Sequence, residues 1–328
     1  MIEAFVLIFV ISFLTTYFAV PWLIRYLKRI KLLVKDQNKE DKPLVPISGG
    51  LAVMAGIFLS LSLYIFIRTF FYNDSSTLLY FFAAITTILL ITFVGFIDDS
   101  IIKRGKEASA GLKQWQKPFL TLIAAIPLVA IKAGTTTIGV PFFGVINFGL
   151  IYPLVLVPLG VVVAANMVNM LAGFNGLEAG MGIIYTGMLG IYAITNQNYV
   201  AAVIALAAFA SLLAFLIFNW YPAKILPGDS LTYLLGAVLA CIAILGNMEK
   251  AVIIVSVPFI IEFFLKARTR FKAQSFGYFE KGKIRSIYGS KIYSIPHFFT
   301  RTRKFTEKQI VIGIMIIELL FSLLIWII

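Results

Sequence analysis

Residues 4–24 read AFVLIFVISFLTTYFAVPWLI, an uncharged run that ends against Arg25. A bilayer core is crossed by about 20 apolar residues in a helix, so this stretch is long enough to span one by itself. It lacks the short apolar core and small-residue cleavage site of a secretory leader, and it reads as a retained first helix. The rest of the chain agrees. Its 328 residues are 60% hydrophobic and only 13% charged, with a mean hydropathy of +0.96, where a soluble domain carries about 25% charged residues. The sequence is that of an all-α integral membrane protein.

Nine further apolar runs follow, and with the first they give ten expected transmembrane helices: 2–24, 47–67, 78–97, 118–132, 150–170, 177–194, 199–218, 230–247, 250–266 and 309–328. Pro127 predicts a kink in the fourth. The chain is read as a single polytopic domain, 1–328. Cys241, the one cysteine, lies inside an apolar run; no intrachain disulfide or cysteine-rich metal site can form, and it reads as a small buried hydrophobe. Glu318 falls near the middle of the tenth run, either a functional intramembrane carboxylate or one facing a neighbouring helix or subunit.

Charge sorts the loops. Of the 28 lysines and arginines, 25 follow odd-numbered helices, and only Arg68, Lys132 and Lys250 lie on the other side. Positive loops stay in the cytoplasm, which puts both termini outside and locates the protein in the cell membrane. The net charge of +13 becomes a cytoplasmic field at membrane level, suited to anionic headgroups or phosphorylated substrates. Nucleic acid is a poor partner for basic residues pinned to a bilayer in separate loops. Outside, residues 134–149 alternate threonines, β-branched residues and glycines and predict a short external β-hairpin. Inside, the loop 267–308 between helices 9 and 10 is too long for a connector and too aromatic for disorder, and is expected to be a substrate-recognition loop.

Every concentrated acidic or amide motif falls on this cytoplasmic face: Asp98-Asp99 ending the third helix, Asn166, Asn169, Asn175 and Glu178 around the fifth loop, and Gly228-Asp229-Ser230 opening the eighth helix. Taken singly, Asp229 reads as a helix cap and Asp98-Asp99 as a membrane boundary. Together they form a convergent set of oxygen ligands of the kind magnesium uses alongside phosphate oxygens, with manganese also admitted. His297 is the sole histidine, which argues against a transition-metal site. Lys117 precedes the fourth helix. Arg301 and Arg303, two apart in what reads as extended chain, would point both forks to one side, as phosphate requires, or would form a solvated basic stretch.

At these residues the chain resembles the polyprenyl-phosphate N-acetylhexosamine-1-phosphate transferase family. The segment NMVNMLAGFNGLEAG, 166–180, is similar to the motif of the eukaryotic dolichyl-phosphate GlcNAc-1-phosphate transferase, where bacterial relatives carry Asp-Gly-Leu-Asp-Gly. The resemblance implies that Asp98 and Asp99 are the paired active-site aspartates and that Lys117 contacts the diphosphate. It implies Asn169 and Asp229 as magnesium ligands, and Asn175 with the Gly176-Leu177 backbone at the uracil; Asn166 and Glu178 join the substrate-binding set, with Asn166 either a neighbour of the ligand or a helix-packing hydrogen bond. Arg301 and Arg303 match the arginines of a Pro-Arg-His-Arg motif, from which this chain departs with Thr300 and Thr302; the role of the missing histidine does not pass to His297. Ile47-Ser48-Gly49-Gly50 is similar to the family's glycine-bearing entry to the second helix, where backbone would approach the nucleotide.

The implied reaction transfers GlcNAc-1-phosphate from UDP-GlcNAc to a polyprenyl or dolichyl phosphate and releases UMP. An archaeal enzyme opening N-glycan assembly fits the motif. The alternatives are another UDP-N-acetylhexosamine used for a surface polymer and, from a different class, a secondary transporter; a non-catalytic scaffold would leave the one-sided polar cluster unexplained. A homodimer is kept among the partners. Since a phosphate monoester is already largely dianionic at neutral pH, Asp98 or Asp99 is expected to orient Lys117 or the metal and not to act as base or nucleophile.

Overall fold

The computed structural model describes residues 2–101, 111–140 and 144–327. The basic residues Lys103, Arg104 and Lys106 of the third loop and the turn of the expected hairpin lie outside them. The helices are α1 (Ile2–Arg29), α2 (Gly50–Phe71), α3 (Leu78–Ile101), α4 (Gln116–Ala124), α5 (Ile126–Ala130), α6 (Val157–Val168), α7 (Leu177–Thr195), α8 (Tyr199–Asn219), α9 (Gly228–Gly246), α10 (Glu249–Val255), α11 (Val257–Ala267), α12 (His297–Thr300) and α13 (Glu307–Leu323).

Seven helices among the described residues are long and apolar enough to cross a membrane: α1, α2, α3, α7, α8, α9 and α13, the last continued by a short 3-10 turn. The other three expected spans are interrupted by proline. Pro127 opens α5 and separates it from α4, as anticipated. Pro153 sits in a π-helical turn, Tyr152–Leu156, that leads into α6, and Pro158 stands in the first turn of α6. Pro258 restarts the chain as α11 after α10. A proline cannot donate to the preceding turn, so each of these runs bends where its backbone ladder is cut.

Helix α9 forms the centre, buried along nearly its whole length, and packs against α3, α6, α8 and α2. Close approach is obtained by glycine. A methyl on Gly50 of α2 would collide with the backbone of Ser230 and Leu231, one on Gly95 of α3 with the backbone of Asp229, and one on Gly236 of α9 with Ala164 and Ala165 of α6. Small residues let apolar helices bring their backbones together. The Gly49-Gly50 pair, expected to admit a nucleotide, instead admits α9; Gly49 itself faces the Phe215 ring.

Three antiparallel ribbons complete the fold. The expected hairpin is present as β3 (Thr137–Val140) with β4 (Gly144–Asn147). Two further ribbons, β1 (Leu33–Lys35) with β2 (Leu44–Pro46) and β5 (Tyr278–Glu280) with β6 (Lys283–Arg285), lie in the loops after α1 and α11. Cys241 is buried, as expected. Glu318 is buried too, accepting from the Ser322 hydroxyl at 3.2 Å and lying close to Tyr185 of α7, so it faces a neighbouring helix.

Candidate active site

The site forms where the end of α3, the start of α4, the end of α6 and the start of α9 meet. Asp99 is wholly buried and acts as a cap across helices. Its carboxylate accepts from the Asp229 N–H at 2.8 Å, the Ser230 N–H at 3.1 Å and the Ser48 hydroxyl at 2.8 Å. The first two are among the orphan amides of α9, which an anion at a helix start satisfies. A methyl on Gly228 would strike the Asp99 carboxylate, and its φ of +70° favours glycine. Asp229 is therefore not the cap of its own helix. Its side chain is left free to face outward.

Asp98, one residue earlier, faces the other way. It accepts from the Leu112 N–H and forms an ion pair with Lys117. The Lys117 ammonium also reaches Asp229 Oδ2 at 3.1 Å, so one cation bridges two carboxylates. Asn169 donates to the same Asp229 oxygen at 3.1 Å and accepts from the Thr232 hydroxyl at 2.8 Å. Lys117 and Asp229 keep 24% and 27% of their side-chain surface open, which makes this cluster reachable from outside the bundle. The donor set of Asp98, Asp229 and Asn169 is all oxygen on its acceptor side, and a cation already balances it in the form of Lys117. That chemistry fits a hard divalent ion bound with substrate phosphates.

A cavity of about 240 Å³ opens beside Asp229, lined by Asp36, Gly173, Asn175, Glu178, Thr232 and Phe276 among others. The loop from Asn169 to Gly176 cups it. Gly173 and Gly176 take φ of +114° and +86°, and Glu178 Oε1 accepts from the Gly173 N–H at 2.8 Å, closing the loop on itself. The second oxygen of Glu178 is buried and has no partner among the described residues. Asn175 also lines the cavity, but both ends of its amide are engaged: Nδ2 donates to Asp36 at 3.1 Å and Oδ1 accepts from the Ala223 N–H at 3.0 Å. Gly176 and Leu177 are buried and do not line it; Gly176 packs against Trp220.

Of the two readings of Asn166 the helix-packing one holds, and the expectation for the arginine pair changes. Asn166 donates to the Val162 carbonyl at 2.8 Å and to the Thr121 hydroxyl at 3.2 Å, a hydrogen bond between α6 and α4. Arg301 and Arg303 are not in extended chain: Arg301 continues the helical turn of α12, Arg303 has φ of +61°, and both are exposed. Arg301 lies over the Phe298 ring at 5.8 Å. The alternation that would aim both forks one way is absent.

Sequence reading also missed the groups that lock the site. Lys39 pairs with Asp36 and Glu307, and Glu307 accepts from the Asn175 N–H at 2.8 Å, tying the first loop and α13 to the cup. His297 is buried; its Nδ1 accepts from the Tyr293 N–H at 3.1 Å and its other nitrogen meets the Gln274 carbonyl at 3.0 Å. Glu262 of α11 accepts from Ser294 at 2.6 Å and from the Ile295 N–H at 2.7 Å. The 267–308 loop is thus folded on buried polar groups. Only Ser48 had a visible signal, as a polar residue beside Gly49-Gly50.

A second cavity, about 320 Å³ and almost wholly apolar, lies between α6, α9 and the α10–α11 bend, with Ala164, Met167, Ala240, Ala243 and Ile260 in its wall.

Comparison with known proteins gives matches over the same elements. The profile described as glycosyl transferase family 4 matches residues 81–247, from within α3 to the end of α9. A protein of Saccharolobus solfataricus, provisionally named UDP-N-acetylglucosamine–dolichyl-phosphate N-acetylglucosaminephosphotransferase, is 37% identical over 326 residues, covering 98% of this chain and 96% of the relative. One of the same provisional name in Sulfolobus acidocaldarius is 35% identical, covering 96% and 93%. The phospho-N-acetylmuramoyl-pentapeptide-transferase of Halalkalibacterium halodurans is 32% identical, covering 77% and 78%.

Proposed function

The chain belongs to glycosyl transferase family 4, and we propose that it transfers N-acetylglucosamine-1-phosphate from UDP-GlcNAc to a dolichyl-type polyprenyl phosphate. The observation that carries the reading is a near full-length likeness to two relatives bearing that name, joined to an Asp98–Lys117–Asp229–Asn169 cluster whose Asp229 lines a polar-rimmed cavity, with an apolar cavity walled by the same helices α6 and α9.

In the proposed reaction an oxygen of the lipid phosphate forms a bond to the β-phosphorus of the donor, and the bond from that phosphorus to the bridging oxygen breaks. The electron pair leaves with UMP, and the lipid retains a diphosphate bearing the sugar. No proton need be removed, because the acceptor phosphate is largely dianionic at neutral pH. The protein must therefore position and neutralise charge. Lys117 supplies a fixed ammonium against phosphate oxygens. Asp98 and Asp229 hold that ammonium in place, and Asp99 holds the helix that carries Asp229. Asp229 and Asn169, with Asp98 beside them, would hold magnesium, which on binding neutralises diphosphate charge. The 240 Å³ cavity beside Asp229 suits part of the nucleotide sugar, and the apolar cavity suits hydrocarbon. The cluster is assigned to the cytoplasmic face by the charge of its loops.

The test is UMP release by purified protein given UDP-GlcNAc, polyprenyl phosphate and magnesium. Release that requires all three is expected, with UDP-GalNAc as a much poorer donor. Uptake of solute into sealed vesicles with no lipid-dependent UMP release would instead support a transporter.

A further inference from the structure

Tyr233 lies one helical turn beyond Asp229 on α9 and is wholly buried. The Lys117 ammonium sits 6.0 Å from its ring centre, and Asp98 and Asp229 are the other charged groups acting on it. Among the described residues its hydroxyl has no hydrogen-bond partner of good geometry, although the Asn169 amide lies beside it. A buried hydroxyl without a partner is destabilising, and phenylalanine would fill the same space without that cost. Among the described residues nothing satisfies this oxygen fully.

Its place along α9 indicates what is missing. The polar-rimmed cavity is lined from α9 by Gly228, Asp229 and Thr232, not by Tyr233. Residues three and four apart share a helix face, and from Asp229 that face runs through Tyr233 and Gly236 to Ala240 and Ala243, which wall the apolar cavity. Along that face Tyr233 comes between Asp229 and the residues of α9 that wall the space suited to hydrocarbon. A ligand group next to Lys117 yet attached to a hydrocarbon chain is the phosphate of a lipid.

We propose that the Tyr233 hydroxyl donates a hydrogen bond to a phosphate oxygen of the lipid acceptor, which makes it an acceptor-side catalytic residue. This rests on the function proposed above. It holds the acceptor by a neutral donor while Lys117 balances its charge, and leaves UDP-sugar binding to the other side of Asp229.

The test compares wild type with Tyr233→Phe, varying each substrate in turn. The expected result is a fall of about tenfold or more in kcat/KM for polyprenyl phosphate, the effect of one hydrogen bond to a charged group. The KM for UDP-GlcNAc should stay within about twofold, and the thermal midpoint of the ligand-free protein should not fall. A binding measurement without turnover supports it: polyprenyl phosphate should raise the midpoint of wild type more than that of Tyr233→Phe. Wild-type kinetics in Tyr233→Phe would overturn the inference alone, as would a loss confined to the KM for UDP-GlcNAc or a lowered midpoint with normal turnover. Absence of UMP release by wild type would overturn the proposed reaction and this inference with it.

Discussion

Asp98 and Asp99 are neighbours in sequence with opposite surroundings. The oxygens of Asp99 take three protein donors, two of them backbone amides of α9; those of Asp98 meet Leu112 and the half-open Lys117. Asp99 is thus a positioning residue and Asp98 a charge partner of Lys117, the lysine proposed to meet phosphate. Asp99→Ala leaves buried N–H groups unpaired, at about 1–3 kcal/mol each, and should lower the thermal midpoint by several degrees. Asp98→Asn should cost turnover about a hundredfold or more while the midpoint stays close to wild type. Thermal unfolding and steady-state UMP release on the two variants check this; equal midpoints would refute the division. The pair was legible in sequence as charge ending an apolar helix. Its division of labour was not, because the deciding partners, Ser48 and the Asp229 amide, lie 51 and 130 residues away.

The loop after α11 shows what pattern can and cannot give at the level of an element. Its length and aromatic content announced order, and its folding on Glu262 and His297 bears that out. Its ribbon strands of three residues each are too short for a period to register, and the turn of α12 contradicted the extended reading of Arg301 and Arg303. The two-proline and one-proline breaks before α6 and α11 were readable in principle, since each Pro stands in the sequence, yet apolar length alone concealed them. His297 makes the loop sensitive to acid. Burial pushes its pKa down to about 4, against the Gln274 carbonyl, which favours a charged ring, and with the Lys266 charge adding to the fall. The unfolded chain, with an ordinary value near 6.5, binds a proton that the folded loop refuses. Stability is therefore full above pH 6.5 and declines as pH falls toward 4. His297→Gln should flatten that decline, read as the thermal midpoint between pH 7 and pH 4.5; an unchanged slope would remove His297 as its source.

Across the whole molecule, alternation of charge between loops foretold which ends of the helices would meet. The ends of α3, α6 and α11 and the starts of α4, α9 and α13 do gather on one face: Lys117 reaches Asp98 and Asp229, Lys266 reaches the Met170 carbonyl, and Glu307 reaches Asn175. Convergence of this kind needs the connecting loops on the same side, whichever side of the cell that is. The positive-inside rule assigns it to the cytoplasm. Cys241, the sole cysteine, is fully buried, which gives a silent background for testing that assignment with single introduced thiols. Ser75→Cys lies in the exposed loop between α2 and α3, and Ser290→Cys is exposed in the loop after α11. With a membrane-impermeant maleimide on intact cells, Ser75→Cys should label at once, Ser290→Cys only after the membrane is opened, and wild type not at all. Labelling in the reverse order would set the Asp98–Lys117–Asp229 cluster outside the cell, away from the cytoplasmic pool of nucleotide sugars, and the proposed donor would then have no route to the site.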